Sequence, residues 1–383
     1  MIKRTTLILG MVSVLNACSW FGWGDKDTTE PPAELTSFDE TLSVDRLWSA
    51  GIGGTDEFYL KLRPVVDGNH VFAANYKGDV YAFDAVSGDR IWDVDLDKRI
   101  SGGVGAAEDI VLVGTTDAEV IALEQQTGAV RWLAQVSSEV LSAPAVENGV
   151  VVVRSGDGKL TGLNAETGKR LWIYDLSIPV LSLRGTSSPV ISRGVVLAGF
   201  ANGKLVALNL KDGKQIWETT VAAPRGRSEL ERMVDIDSEP VVMGNIIYVV
   251  TYQGYMSVID MLNGQILWTR KMSSSAGMTT DRSNMYVADS DGHVWAFTND
   301  SGRGLWKQEK LHARALSAPA VQGDYVVVGD LEGYVHWMSR ETGAFAAREH
   351  LDSSPIIASP VVANNILYVI SQDGDLAAYA LKQ

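Results

Sequence analysis

One cysteine, Cys18, stands in the whole chain. No intrachain disulfide can form, so stability must come from a packed core. Histidine is scarce too, and His70, His293, His312, His336 and His350 show no metal-ligand spacing along the sequence. Positive charge is in deficit: 33 Lys and Arg stand against 47 Asp and Glu, a formal net charge of -14. That balance argues against nucleic acid as a partner and against adsorption to anionic lipid through basic residues. Long hydrophobic runs are missing. Leu7 to Leu15 is mostly apolar but too short to cross a bilayer as a helix.

Catalytic signatures are equally hard to find. The Gly-Lys pairs at Gly158, Gly168, Gly203 and Gly213 are never followed by Ser or Thr, so they read as turns and not phosphate loops. Gly103-Val104-Gly105 has Glu108 where a dinucleotide loop needs its third glycine. Asp93, Asp95 and Asp97 begin like a calcium loop, but Lys98 takes the glycine place and Val104 the bidentate acid place. Asp157, Asp291 and Asp373 stand beside glycines and need no role beyond the turn. No catalytic, cofactor-binding or metal-binding residue is expected, and no enzyme.

The chain is rich instead in one repeat. From Ser142 to Trp172, β-branched runs are punctuated by Asn148-Gly149, Gly156-Asp157-Gly158 and Thr167-Gly168, the pattern of antiparallel hairpins. Gly88, Gly128, Gly168, Gly213, Gly264 and Gly302 are each followed four residues later by Trp92, Trp132, Trp172, Trp217, Trp268 and Trp306. Gly343 has Ala347 at the Trp place. The tryptophans recur at intervals of 40, 40, 45, 51 and 38 residues. Four strands per unit at this period predict an all-β fold, an eight-bladed β-propeller of four-stranded antiparallel blades. The last unit stops at Leu381 without its outer strand, and Asp45-Arg46-Leu47-Trp48 precedes the first complete one. Trp48 is therefore expected to close the ring by pairing the N- and C-terminal strands. Trp337, opposite Ala347 in the seventh repeat, reads as a volume swap within one blade interface.

Three segments follow: residues 1–18, a tether at 19–44, and the propeller at 45–383. Residues 1–18 resemble a bacterial lipoprotein signal peptide, with Lys3 and Arg4 before the apolar run and Leu15-Asn16-Ala17-Cys18 as its lipobox. The resemblance implies acyl attachment at Cys18, and Ser19 in place of aspartate favours sorting to the outer membrane. The Asp-, Thr- and Pro-rich stretch after it reads as flexible.

The repeat pattern in Ala207-Leu208-Asn209 to Trp217 resembles the tryptophan-docking repeat of quinoprotein dehydrogenases. Their vicinal cysteines cannot be supplied by a chain with one cysteine, so the framework is shared without that site. Function should sit where the repeats differ. Trp132 to Ser142 is 10 residues and Trp306 to Ser317 is 11, but Trp172 to Ser187 is 15 and Trp217 to Ser238 is 21. These two long connections belong to consecutive blades and emerge side by side.

Here the chain resembles the propeller lipoproteins of the outer-membrane β-barrel assembly machinery, on Leu-Ser-Leu-Arg-Gly in the first loop and Asp-x-Asp in the second. The resemblance implies a scaffold on the periplasmic side of the outer membrane, assisting insertion of β-barrel proteins. Its partner would be the central barrel subunit, BamA, through its POTRA domains, contacted by Leu181, Leu183, Arg184, Asp235 and Asp237. Leu181 and Leu183 also read as a buried strand face, with Arg184 paired internally to Asp235 or Asp237. Both can hold, since an internal pair would preorganise the patch. Two other functional readings are a quinoprotein-like periplasmic enzyme and an adaptor holding unfolded client strands on a blade edge.

Overall fold

A computed structural model describes residues 30–54, 60–176, 187–224, 227 and 233–382. Those residues form eight antiparallel sheets of four strands each, and the chain is an eight-bladed β-propeller. Blades one to seven span 65–95, 100–135, 145–175, 190–220, 241–272, 277–308 and 320–350. In blade three the strand order is Ala145–Glu147, Val150–Arg154, Lys159–Asn164 and Arg170–Asp175. Its second strand, with the β-branched run from Val150, is buried throughout, as a strand covered on both faces must be. The Asn148-Gly149 turn before it has φ of 53° and 73°, the two positive values of a type I′ hairpin.

Blade eight takes three strands from the C-terminus and its outer strand, Val44–Gly51, from the N-terminus. Trp48 pairs with Ala378 beside a bulge at Leu47. Its inner strand, Val361–Ala363, lies against that of blade one, Val65–Asp67, and the ring closes as the repeat count requires.

The core lies between blades. One cluster joins Ile110 and Leu112 of blade two to Val151 and Val153 of blade three. The repeat tryptophans reach across in the same direction. Trp92 Nε1 donates to the Gln125 carbonyl at 2.9 Å, Trp132 to Ala165 at 2.7 Å, Trp172 to Leu210 at 2.8 Å and Trp217 to Met261 at 2.9 Å. Each tryptophan thus docks on the following blade, burying a large ring while satisfying its only donor.

Blade seven departs from this for a structural reason. A Trp at Ala347 would need a third-to-fourth-strand turn in blade eight to dock on. That turn does not exist, because those two strands come from opposite ends of the chain. Trp337 instead fills the interface from the neighbouring strand. It is fully buried, pairs across the sheet with Ala347, donates to Gln322 Oε1 at 2.8 Å and meets Tyr379 edge-on at 5.6 Å.

The propeller unit begins before residue 45. It runs from Pro32, and residues 33–42 are held and not free as the composition suggested. Ala33 N donates to the His312 carbonyl at 3.0 Å, and Thr41 N and Leu42 N donate to the Ala346 carbonyl at 3.0 and 3.1 Å. Phe38 stacks on Phe345 with centroids 5.3 Å apart, and Arg348 lies over Phe38. Leu35 and Phe38 sit between polar neighbours, so a polar-rich composition concealed two apolar anchors.

Candidate interaction face

In each blade the second-to-third-strand turn and the connection leaving the outer strand lie on one face of the ring. The long connections leaving blades three and four share that face. So does the one from blade eight to blade one, which carries Lys61 and Arg63. Leu181, Leu183 and Arg184 fall outside the described residues, as does Cys18. Asp235 and Asp237 are described.

The second connection is fastened at both ends. Val221 N and Ala222 N donate to the Gly203 carbonyl, at 2.8 and 3.2 Å. Ile236 N donates to the Phe200 carbonyl at 3.3 Å, and Tyr252 N donates to the Asp235 carbonyl at 2.9 Å. The Ile236 side chain is buried over Gly199, where a Cβ would sit 2.2 Å from it. Residues 233–238 are therefore wedged between blades four and five, with Met233, Val234 and Ile236 inward. Burial of Asp235 follows from that wedge; its side chain is wholly shielded.

A buried carboxylate needs a counter-charge, and the Arg154 guanidinium is coupled electrostatically to both Asp237 and Asp235. Arg154 ends the second strand of blade three, where the equivalent positions of other blades hold Ala74, Gly114, Gly199, Val250, Ala288, Gly329 and Ile370. It is 3% exposed and lies over the Phe200 ring at 5.0 Å. Nη1 donates to the Ser187 carbonyl at 3.2 Å and to Ser187 Oγ at 3.0 Å. Burial pulls its guanidinium down to about 10, against the opposing effect of Asp237 and Asp235, so it stays charged at neutral pH. Sequence reasoning missed this residue. The signal was available in the repeat itself, as the one cation at a position otherwise small or aliphatic.

Asp237 sits at the rim of a central cavity of about 780 Å³ lined by the inner strands. Burial, and then the Asp235 charge, push its carboxyl up to about 7, with Lys61 and Arg154 acting the other way. Its Oδ2 has no hydrogen-bond partner among the described residues. Burial lowers the Lys61 ammonium, although Asp237 and Glu239 favour its charge, and Nζ donates to the Ser275 carbonyl at 3.1 Å. Arg63 pairs with Glu239 at 2.8 Å. The second loop is thus joined to the connection from blade eight and, through Lys61, to the one leaving blade five. The result is a stiff charged platform in which, among the described residues, no nucleophile and base are set against each other.

The comparisons with known proteins bear on what such a platform serves. A family model described as outer membrane protein assembly factor BamB matches residues 76–308 and 291–383. This chain belongs to the BamB family. It is 39% identical over 400 residues to the BamB of Xanthomonas campestris pv. campestris, covering 100% of this chain and 98% of that protein. It is 45% identical to the BamB of Pseudomonas aeruginosa, covering 92% and 93%. The crystal structure of BamB from Moraxella catarrhalis superposes with a TM-score of 0.81 at 28% identity, covering 88% of this chain and all of that one. Family members are assembly factors and not enzymes. The shared blade pattern with quinoproteins is a likeness of fold.

Proposed function

We propose that the chain is a periplasm-facing scaffold, anchored to the outer membrane through acylated Cys18, whose two-loop face docks on the POTRA region of BamA. The observation that carries this reading is the Asp235–Ser238 segment, wedged between blades and backed by buried Arg154. A loop held this rigidly presents its neighbours at low entropic cost on binding. Leu181, Leu183 and Arg184 belong to the connection that leaves blade three after Leu176 and returns at Ser187, the residue bonded to Arg154. An arginine beside apolar anchors is the composition of an interface hot spot. Arg154 is a positioning residue here: it reaches the partner through Ser187 and the two aspartates.

Binding of a purified POTRA fragment tests the reading. Arg184→Ala should weaken affinity about 30-fold or more, the equivalent of roughly 2 kcal/mol. Arg184→Lys should also weaken it, since an ammonium lacks the planar fork. Unchanged affinity in stably folded Leu181, Leu183 and Arg184 variants would leave the face structural and the assignment wrong.

A second surface has its own supporting observation. Each outer strand is a sheet edge, and Leu47, Ile91, Leu171, Ile216, Leu267 and Leu305 stand exposed there, each just before its repeat tryptophan. On blade seven that edge already receives backbone hydrogen bonds from Thr41 and Leu42 of the same chain. We propose that free edges take extended client strands the same way, by main-chain pairing plus alternate apolar side chains. Site-specific crosslinkers at Leu171 and Leu267 should capture unfolded outer-membrane protein; capture only at the two-loop face would reject the proposal.

A further inference from the structure

His293 and His312 are far apart in sequence, yet their rings stack with centroids 5.1 Å apart and planes 20° from parallel. His293 Nε2 lies 3.2 Å from His312 Nδ1. We propose that these two nitrogens, with Asp291, form a binding site for a divalent transition ion of the zinc class.

The local construction favours this. Asp289 follows the second strand of blade six, Asn284–Ala288, and its carboxylate is saturated. Oδ1 accepts from Asp291 N at 3.0 Å and His293 N at 2.8 Å, while Oδ2 accepts from Trp295 Nε1 at 2.7 Å and faces His293 Nδ1 at 3.0 Å. A carboxylate against Nδ1 fixes the tautomer with the proton there, leaving the Nε2 lone pair directed at His312. Carboxylate-oriented imidazoles of this kind recur behind metal centres.

His312 is held from the other side. Ala313 N donates to the Asp291 carbonyl at 2.8 Å, which ties the connection after blade six to the Asp289–His293 turn. Gly292 at φ +83° permits the approach, since a Cβ there would fall 2.6 Å from the Leu311 carbonyl oxygen. Both rings are thus placed by backbone that is already fixed.

The spacing suits one ion. Two ligand nitrogens about 2.0–2.1 Å from a tetrahedral zinc stand roughly 3.3 Å apart. Asp289, Asp291 and His293 offer ligand atoms within 4.8 Å of one another, and Asp291 is exposed and can turn toward the site. With Asp289 committed to its four donors, the exposed Asp291 side chain would have to turn in to supply the third ligand, with water as the fourth. Imidazole pairs select zinc, copper or nickel ions over calcium and magnesium, which prefer cages of oxygen. Lys307, on the outer strand of the same blade, is engaged by Glu309 and lies over the Trp295 ring. Since the His312 carbonyl receives Ala33 N, an ion here would brace the point where the N-terminal segment joins the propeller.

Titration of the tag-free mature protein with Zn²⁺, with Ca²⁺ and Mg²⁺ present in excess, tests the site by calorimetry and by metal content after dialysis. One ion per chain is expected. His293→Ala and His312→Ala should each lower the affinity at least tenfold, and the double variant should abolish uptake. Asp289→Asn keeps the two turn hydrogen bonds to Oδ1 but sets an amide NH2 against Trp295 Nε1 and cannot fix the tautomer as a carboxylate does, so the variant, once shown to be folded, should also lose tenfold or more. Absence of stoichiometric uptake, or uptake undiminished in the folded double variant, would overturn the proposal and leave the rings joined only by a hydrogen bond.

Discussion

Trp172 of blade three lies flat against Gly213 of blade four, and a Cβ on that glycine would fall 2.6 Å from the indole. Gly213 also has φ of +65°, a conformation other residues enter at a cost of about 1–2 kcal/mol. Trp172→Ala should destabilise the propeller by roughly 3–5 kcal/mol, as truncation of a buried aromatic does. Gly213→Val should be similarly damaging by driving the ring out. Urea denaturation of both singles and the double measures it. The double should fall well short of the sum, because the two residues share one contact.

Trp337 should be the tryptophan the fold tolerates losing least. It is wholly buried and bonded to Gln322, whereas the outer-strand tryptophans retain some exposure. Trp337→Ala should lower stability by at least as much as Trp172→Ala. Ala347→Trp, which restores the repeat consensus, should be destabilising by overpacking. An Ala347→Trp protein as stable as the parent would refute the explanation given for the swap.

Removing residues 33–43 should lower the melting temperature, whereas removing 19–31 should not. The first deletion takes away Phe38, Leu35 and the backbone bonds to His312 and Ala346, and opens apolar surface on blades six and seven. Equal melting temperatures for the two truncations, by calorimetry, would mean the segment is an ornament on the blade edge.

Two groups should give opposite slopes to stability against pH. Asp237 titrates near 7 in the folded chain, against an ordinary value of 3.8. Between about pH 4 and 7 the folded state therefore keeps a proton the unfolded state has lost, and stability falls as pH rises through that window. Asp237→Asn should gain on the parent as pH goes from about 5 to 7 and hold a constant difference above. Parallel curves would reject the shift. His336 works the other way. Burial depresses it, although Asp330 opposes, and Arg348 Nε faces its Nδ1 at 3.2 Å, which needs a neutral ring. Below about 6.5 the unfolded state takes up a proton first, so this contribution is lost as pH falls. His336→Gln should flatten the acid limb.

Blade number, strand order and ring closure were legible in the sequence because each rests on local chemistry repeated along the chain. Gly-x-x-x-Trp spacing marks the outer hairpins, Asn148-Gly149 dictates its turn, and the missing strand after Leu381 has its counterpart at Trp48. The two long loops were legible as departures from that repeat. What the tertiary structure decided is which residues meet across blades. Each tryptophan docks on the next repeat's glycine and not on the one four residues before it. Arg154 is coupled electrostatically to Asp235 and Asp237 from a neighbouring blade, and His293 meets His312 where a turn of blade six faces the connection that leaves it, contacts that no local spacing encodes. Burial turned Asp237 from an ordinary carboxylate into one titrating near neutrality, and two apolar side chains turned half of a polar tether into part of the fold. Charge and burial depend on what the ring brings alongside, and that is a property of the closed structure.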